Sequence, residues 1–199
     1  MVDKLTMMNL NKLPYFLVYS RIIFGLTIGI TAIISPDFSG VMIAVIMFLG
    51  IISDILDGVI AWKLKIDTKA LRVLDSNADL FFWTVAVIAI FGLNWGFVQL
   101  HWIYILIVFG LEFLAYLVCH IKFKKMIASH TYLAKIWSII LFLFLCELVL
   151  TSHSNFLFHA VIWLGVISRT EIIGILMLSK NWKTDVSSVF YLQSSKKVS

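Results

Sequence analysis

Charge is what this sequence has least of. Asp, Glu, Lys and Arg make up 14% of its 199 residues, against 61% hydrophobic ones, where a soluble domain carries about 25% and 45–50%. With a mean hydropathy of +1.00, the shortage excludes an ordinary soluble domain. Proline is scarce as well, two in the chain, so little interrupts the long apolar segments. The two cysteines, Cys119 and Cys146, fall near the inner end of the fourth such segment and the outer end of the fifth, which argues against a structural disulfide. Alternating apolar segments of about ten residues are missing, and that excludes a membrane barrel. There is no basic and aromatic recognition module, so the net charge of +5 is a topology signal with some attraction to anionic membrane lipid, and no nucleic-acid partner is expected.

What the sequence does have is six apolar runs, at residues 13–34, 38–62, 72–93, 98–120, 133–151 and 156–179. Each has the length of a helix that crosses the hydrocarbon core. The expected fold is all-α, a polytopic bundle of six transmembrane helices. Cations cluster in alternate connections: Lys4 and Lys12, then Lys63, Lys65, Lys69 and Arg72, then Lys122, Lys124 and Lys125, then Lys180, Lys183, Lys196 and Lys197. The other connections hold no Lys or Arg, so the positive-inside rule puts both termini in the cytoplasm of a multi-pass cell-membrane protein. Residues 1–182 read as a single membrane domain, with 1–12 as an interfacial segment and 183–199 as a polar cytoplasmic tail. The first run is too long for a signal-peptide core and is read as a retained helix.

Against this apolar background, the stretch DILDGVIAWKLKIDTKALRVLDSNAD from Asp54 to Asp79 places four carboxylates inside two membrane segments. At 100° per residue, Asp54, Asp57, Gly58 and Ala61 share one stripe of the second helix, and Asp75 and Asp79 share a stripe of the third. The second helix runs inward and the third outward, so both pairs lie roughly 5 to 12 Å above the cytoplasmic surface. Carboxylates at that depth call for a compensating cation, and hard oxygen donors suit magnesium, manganese or calcium. Other ionisable residues sit in or near the inner half: Arg21, Glu112, Lys135, Arg169 and Glu171. Glu147, near the outer end of the fifth helix, is the exception. Lys135 reads equally as a snorkelling side chain and as a substrate-phosphate contact; Arg21 and Arg169, deeper, call for polar partners inside the protein. Gly25, Gly29, Gly50 and Gly58 read as points of close helix approach, with room for a ligand as a second reading of Gly58, and Trp62, Trp95, Trp102, Trp137 and Trp182 as an aromatic belt. The residues alone leave open a metal-dependent enzyme, a divalent-cation transporter and a non-catalytic binder of lipid or protein.

The spacing of Asp54, Asp57, Gly58, Ala61, Asp75 and Asp79 resembles D-x2-D-G-x2-A-R-x8-G-x3-D-x3-D, the signature of the CDP-alcohol phosphatidyltransferase family, at six of its eight fixed positions. Pro14 and Arg21 resemble the family's opening P-N-x2-T-x2-R, with Tyr15 and Val18 in place of Asn and Thr. Two positions depart: Trp62 stands where the family has Arg, and Leu71 where it has the second Gly. Leu71 lies about 40° from Asp75 on the preceding turn, where a side chain would crowd a nucleotide. The resemblance implies transfer of a phosphatidyl or similar phosphoalcohol group from a CDP-linked lipid donor to a small alcohol acceptor, with release of CMP in phospholipid synthesis. It implies a magnesium or manganese site on Asp54, Asp57, Asp75 and Asp79, with Asp79 as the base that takes the acceptor's proton. Gly58 and Ala61 would contact the nucleotide, Arg21, Lys135 and Arg169 would be available to substrate phosphate, and the protein would be a homodimer.

Overall fold

The computed structural model describes residues 13–35, 39–64, 68–124 and 131–178, excluding the side chains of Trp62, Lys69, Ala70 and Arg72. The expected interfacial segment 1–12 and tail 183–199 lie outside the described residues, as does the side chain of Trp62. Six helices follow in order: α1 (Leu13–Ile34), α2 (Ser39–Leu64), α3 (Lys69–Leu93), α4 (Trp95–Phe123), α5 (Tyr132–Thr151) and α6 (Phe156–Leu178). All six are long and apolar enough to cross a membrane, and no strand occurs among the described residues. The fold is therefore all-α and multi-pass. Large apolar side chains such as Ile23, Ile30 and Ile33 on α1 and Phe109 and Phe113 on α4 are exposed, the arrangement expected where the surroundings are lipid.

The helix ends depart from the apolar runs by up to three residues, and the caps explain where. α3 begins before the apolar run because Thr68, in extended conformation, accepts a hydrogen bond from the Leu71 N–H at 3.2 Å, which satisfies one of the open donors of the first turn. It ends at Asn94, whose side chain donates to the Ile90 carbonyl at 2.9 Å. Thr131 caps α5 in the same manner, accepting from Ala134 N–H at 3.2 Å.

The chain forms two compact units, the first made of α1 to α3 with residues 148–150, the second of α4, the rest of α5, and α6. In the first unit α1 packs along both α2 and α3, which touch each other sparingly. Small residues allow the approach. Gly25 lies against Phe81 and Phe82, Gly29 against Val85, and a Cβ on Gly50 would meet Phe82 Cζ at 2.4 Å. Of the two readings of Gly58, close helix approach is not met: no atom lies within 4 Å of where its Cβ would be. It is exposed, so its open side does not serve helix packing. The α1–α2 seam is also held by hydroxyls, with Ser20 and Ser53 3.0 Å apart and Ser53 donating to the Leu17 carbonyl at 2.9 Å. Below that seam Val18, Ala61, Leu71 and Ala78 form a buried apolar cluster.

In the second unit Phe158 is the centre of a ring cluster with Phe97, His101, Tyr104 and Phe144. Lys122 at the end of α4 donates to the Leu176 and Met177 carbonyls at 2.9 and 2.7 Å, placing a cation at the negative end of the α6 dipole. Trp137, one of the residues read as an aromatic belt, has specific partners: its Nε1 donates to the Val161 carbonyl at 3.0 Å and its ring lies 4.3 Å from the Arg169 guanidinium carbon, a cation–π contact.

Candidate metal centre

The position of α1 along both α2 and α3 decides the site's geometry. Arg21, with none of its surface exposed, projects from the middle of α1 to the level of both aspartate pairs. Its Nη1 donates to Asp54 Oδ1 at 2.8 Å and to Asp79 Oδ1, and its Nη2 to Asp57 Oδ2 and Asp75 Oδ1. One guanidinium thus gathers all four carboxylates, two from α2 and two from α3. This is the juxtaposition that the i, i+3 and i, i+4 spacings predict, completed by a third helix that the spacings do not involve.

Exposure grades across the cluster. The Asp57 side chain is 6% exposed, those of Asp75 and Asp79 about a third, and that of Asp54 48%. The cluster therefore has a closed floor at Asp57 and an open side at Asp54, where a ligand can enter. Gly58, with open space over its Cα, lies next to that floor in the chain. Ala61 is buried with Val18, Leu71 and Ala78.

A divalent metal fits this donor set. Single carboxylate oxygens of Asp54, Asp57 and Asp75 lie within 4.8 Å of one another, and an all-oxygen set is the one magnesium and manganese prefer. Four carboxylates against one guanidinium leave three formal negative charges at a membrane-embedded site, an imbalance that a divalent cation reduces. Asp79 shares the Arg21 Nη1 donor with Asp54, beside the trio.

The remaining sequence candidates lie in the second unit. Arg169 on α6 is ion-paired through Nε with Glu112 of α4 and stacks on Trp137. Lys135 is exposed in the first turn of α5. Three features escaped the sequence reading: the Ser20–Ser53 seam, Glu112 as the partner of Arg169, and Arg21 as the hub of the aspartates. Arg21 and Glu112 carried a signal, being charges within apolar runs, but pairing across 33 to 58 residues leaves no trace in local spacing.

Residues 5–170 match the family model of the CDP-alcohol phosphatidyltransferases. The chain belongs to this family. No curated protein and no solved structure matches it. The match covers α1 to α5 and most of α6, and it makes the chain a member of a transferase family that moves a phosphatidyl group from a CDP-alcohol in lipid synthesis. CDP-alcohol phosphatidyltransferases are typically dependent on a divalent metal, and the Asp54, Asp57 and Asp75 trio is a group able to hold one.

Proposed function

We propose that this CDP-alcohol phosphatidyltransferase is an active, divalent-metal-dependent enzyme of phospholipid synthesis, working as one domain over residues 1–182 with its site open to the cytoplasm. The observation that carries the reading is the convergence of Asp54, Asp57, Asp75 and Asp79 on one point. Magnesium or manganese bound there would neutralise the donor's diphosphate and stabilise the charge that builds as phosphorus is displaced. Asp54, Asp57, Asp75 and Asp79 would hold it.

The protein's own part is binding, orientation and proton transfer. Gly58 leaves room for the cytidine nucleotide, and Ala61 lines the same stripe of α2. Asp79 accepts the proton of the acceptor hydroxyl. The hydroxyl oxygen then bonds to the phosphatidyl phosphorus, and the bond from that phosphorus to the CMP oxygen breaks, so the electron pair leaves with CMP. An ionised aspartate is suited to the role because it begins without a proton. Lys135 is the exposed cation for an acceptor or donor phosphate; Arg169 takes such a role only by leaving Glu112 and Trp137. A homodimer in the cell membrane completes the reading.

The test is incubation of purified, lipid-embedded protein with magnesium or manganese, CDP-diacylglycerol and a mixed pool of small alcohols, with CMP and the lipid product followed by mass spectrometry. CMP release that depends on metal and on one acceptor is the expected result. A folded, metal-binding protein that releases no CMP with any acceptor overturns it in favour of a non-catalytic relative. That second reading has one observation behind it: Leu71, where the family has Gly, is 4% exposed and fills the packing beside Ala61. Under it, Leu71→Gly with Trp62→Arg creates activity that the natural chain lacks.

A further inference from the structure

The carboxylates that Arg21 holds are the carboxylates a metal would need. Its two terminal nitrogens donate to one oxygen each of Asp54, Asp57, Asp75 and Asp79, and three of those residues bring single carboxylate oxygens within 4.8 Å of one another. Charge that a metal draws from these carboxylates is lost to the guanidinium. A guanidinium and a divalent ion side by side also repel each other in a poorly solvated interior. The guanidinium is moreover not fully satisfied where it stands. Its Nε is buried and has no hydrogen-bond partner among the described residues, an arrangement that leaves a donor's desolvation uncompensated.

We propose that Arg21 and the divalent metal compete for these carboxylate oxygens, and that the guanidinium displaced by the metal moves onto the diphosphate of the nucleotide donor. The inference rests on the metal-dependent reading above. Arg21 is buried and tethered at mid-helix on α1, so it cannot reach bulk water when the metal arrives and must find another anion close by. A donor diphosphate bound beside the aspartates supplies oxygens in a fork that suits guanidinium geometry, and offers Nε the acceptor it lacks. The consequence is coupling. Metal binding alone is weakened because it must strand Arg21, and it tightens when a nucleotide diphosphate is present to receive it. By linkage the nucleotide likewise binds better to the metal-loaded protein. Arg21 thereby acts as a positioning residue that favours loading of metal and donor together.

Calorimetric titration of manganese into the lipid-embedded protein tests this, with and without CDP and against a blank of CDP and manganese alone. In the natural protein CDP tightens manganese binding by at least about tenfold, in the usual range of such couplings. In Arg21→Gln, manganese without CDP binds at least about tenfold tighter than to the natural chain, since an opposing charge has gone. The gain from CDP falls below about threefold in that variant, for lack of the coupling residue. The same variant melts lower than the natural protein in chelator and recovers on adding manganese. A residue with a merely structural role would loosen metal binding on removal, not tighten it. If Arg21→Gln does not fold, Arg21→Lys carries the test, because one ammonium holds fewer of the four carboxylates and manganese binding is again tighter than natural. Equal or weaker manganese binding in the folded variant overturns the competition. An unchanged CDP effect overturns the transfer to diphosphate. A natural protein that binds no manganese with or without CDP overturns instead the metal-dependent reading itself.

Discussion

Arg21 and Arg169 are both buried in membrane-spanning helices, one in each unit, yet Arg169 faces one carboxylate and Arg21 faces four. Around Arg169 the charges balance, and the stacked Trp137 ring covers the guanidinium face. Such a pair can fix α4 against α6 with nothing further bound. Around Arg21 three negative charges are left over, and holding α1 to α2 and α3 would need only one aspartate from each helix. A surplus of buried charge is costly unless something outside the chain compensates it. The difference between a balanced and an unbalanced arginine therefore separates a structural ion pair from a ligand site, even though both look alike as lone charges in an apolar helix.

The strongest way to break that comparison is to change the unbalanced cluster without changing its shape. Asp79→Asn keeps size and still accepts from Arg21, but it cannot take a proton. The rate of CMP release is expected to fall by about 10²- to 10⁴-fold, the usual contribution of a positioned base, while the melting temperature stays near the natural value. Initial rates measured at saturating donor and acceptor check this. Retention of more than a tenth of the rate would remove Asp79 from the proton-transfer role.

Which half of this picture the sequence discloses follows from the range of the interactions. The aspartates were legible because their spacing is a helical face, and a face is a local property. So were the six helices, since an apolar run of bilayer length has few other uses. The hub role of Arg21 was not legible, because it depends on α1 packing along α2 and α3 at once. The place of Leu71 close to Asp75 is legible from helix geometry, whereas its burial among Val18, Ala61 and Ala78 depends on a three-helix contact and is not. The place of Trp137 near a helix end is legible too, whereas its stacking on a guanidinium contributed by a residue 32 positions away is not.

A smaller effect sharpens the other side of the comparison. Glu112→Gln removes the only charge paired with Arg169 among the described residues and is expected to cost about 2 to 3 kcal/mol of stability. That is below the full penalty of a broken buried pair because Glu112 keeps a third of its side chain open. Arg169→Met in the same background should restore part of the loss, since removing the guanidinium leaves no stranded charge. Unfolding in mixed micelles, followed by tryptophan fluorescence, measures both. Adding manganese should leave these losses unchanged, in contrast to its rescue of Arg21→Gln; a manganese-dependent recovery of Glu112→Gln would make Arg169 part of the ligand site after all.

The smallest expected effect concerns two glycines eight residues apart on α2. An added methyl at Gly50 meets the Phe82 ring and should destabilise by about 1 to 3 kcal/mol through overpacking. At Gly58 it meets nothing within 4 Å, and alanine is the better helix former by about 0.5 to 1 kcal/mol. Gly58→Ala should therefore leave the protein as stable as before or slightly more so. If the open space over Gly58 receives the nucleotide, the same methyl raises the donor KM by about three- to tenfold, a loss of a few contacts in a specificity pocket, with little change in kcat. Stability gained together with a raised donor KM would mark that space as kept for a ligand. An unchanged KM would make Gly58 as uninvolved in catalysis as the lipid-facing residues around it.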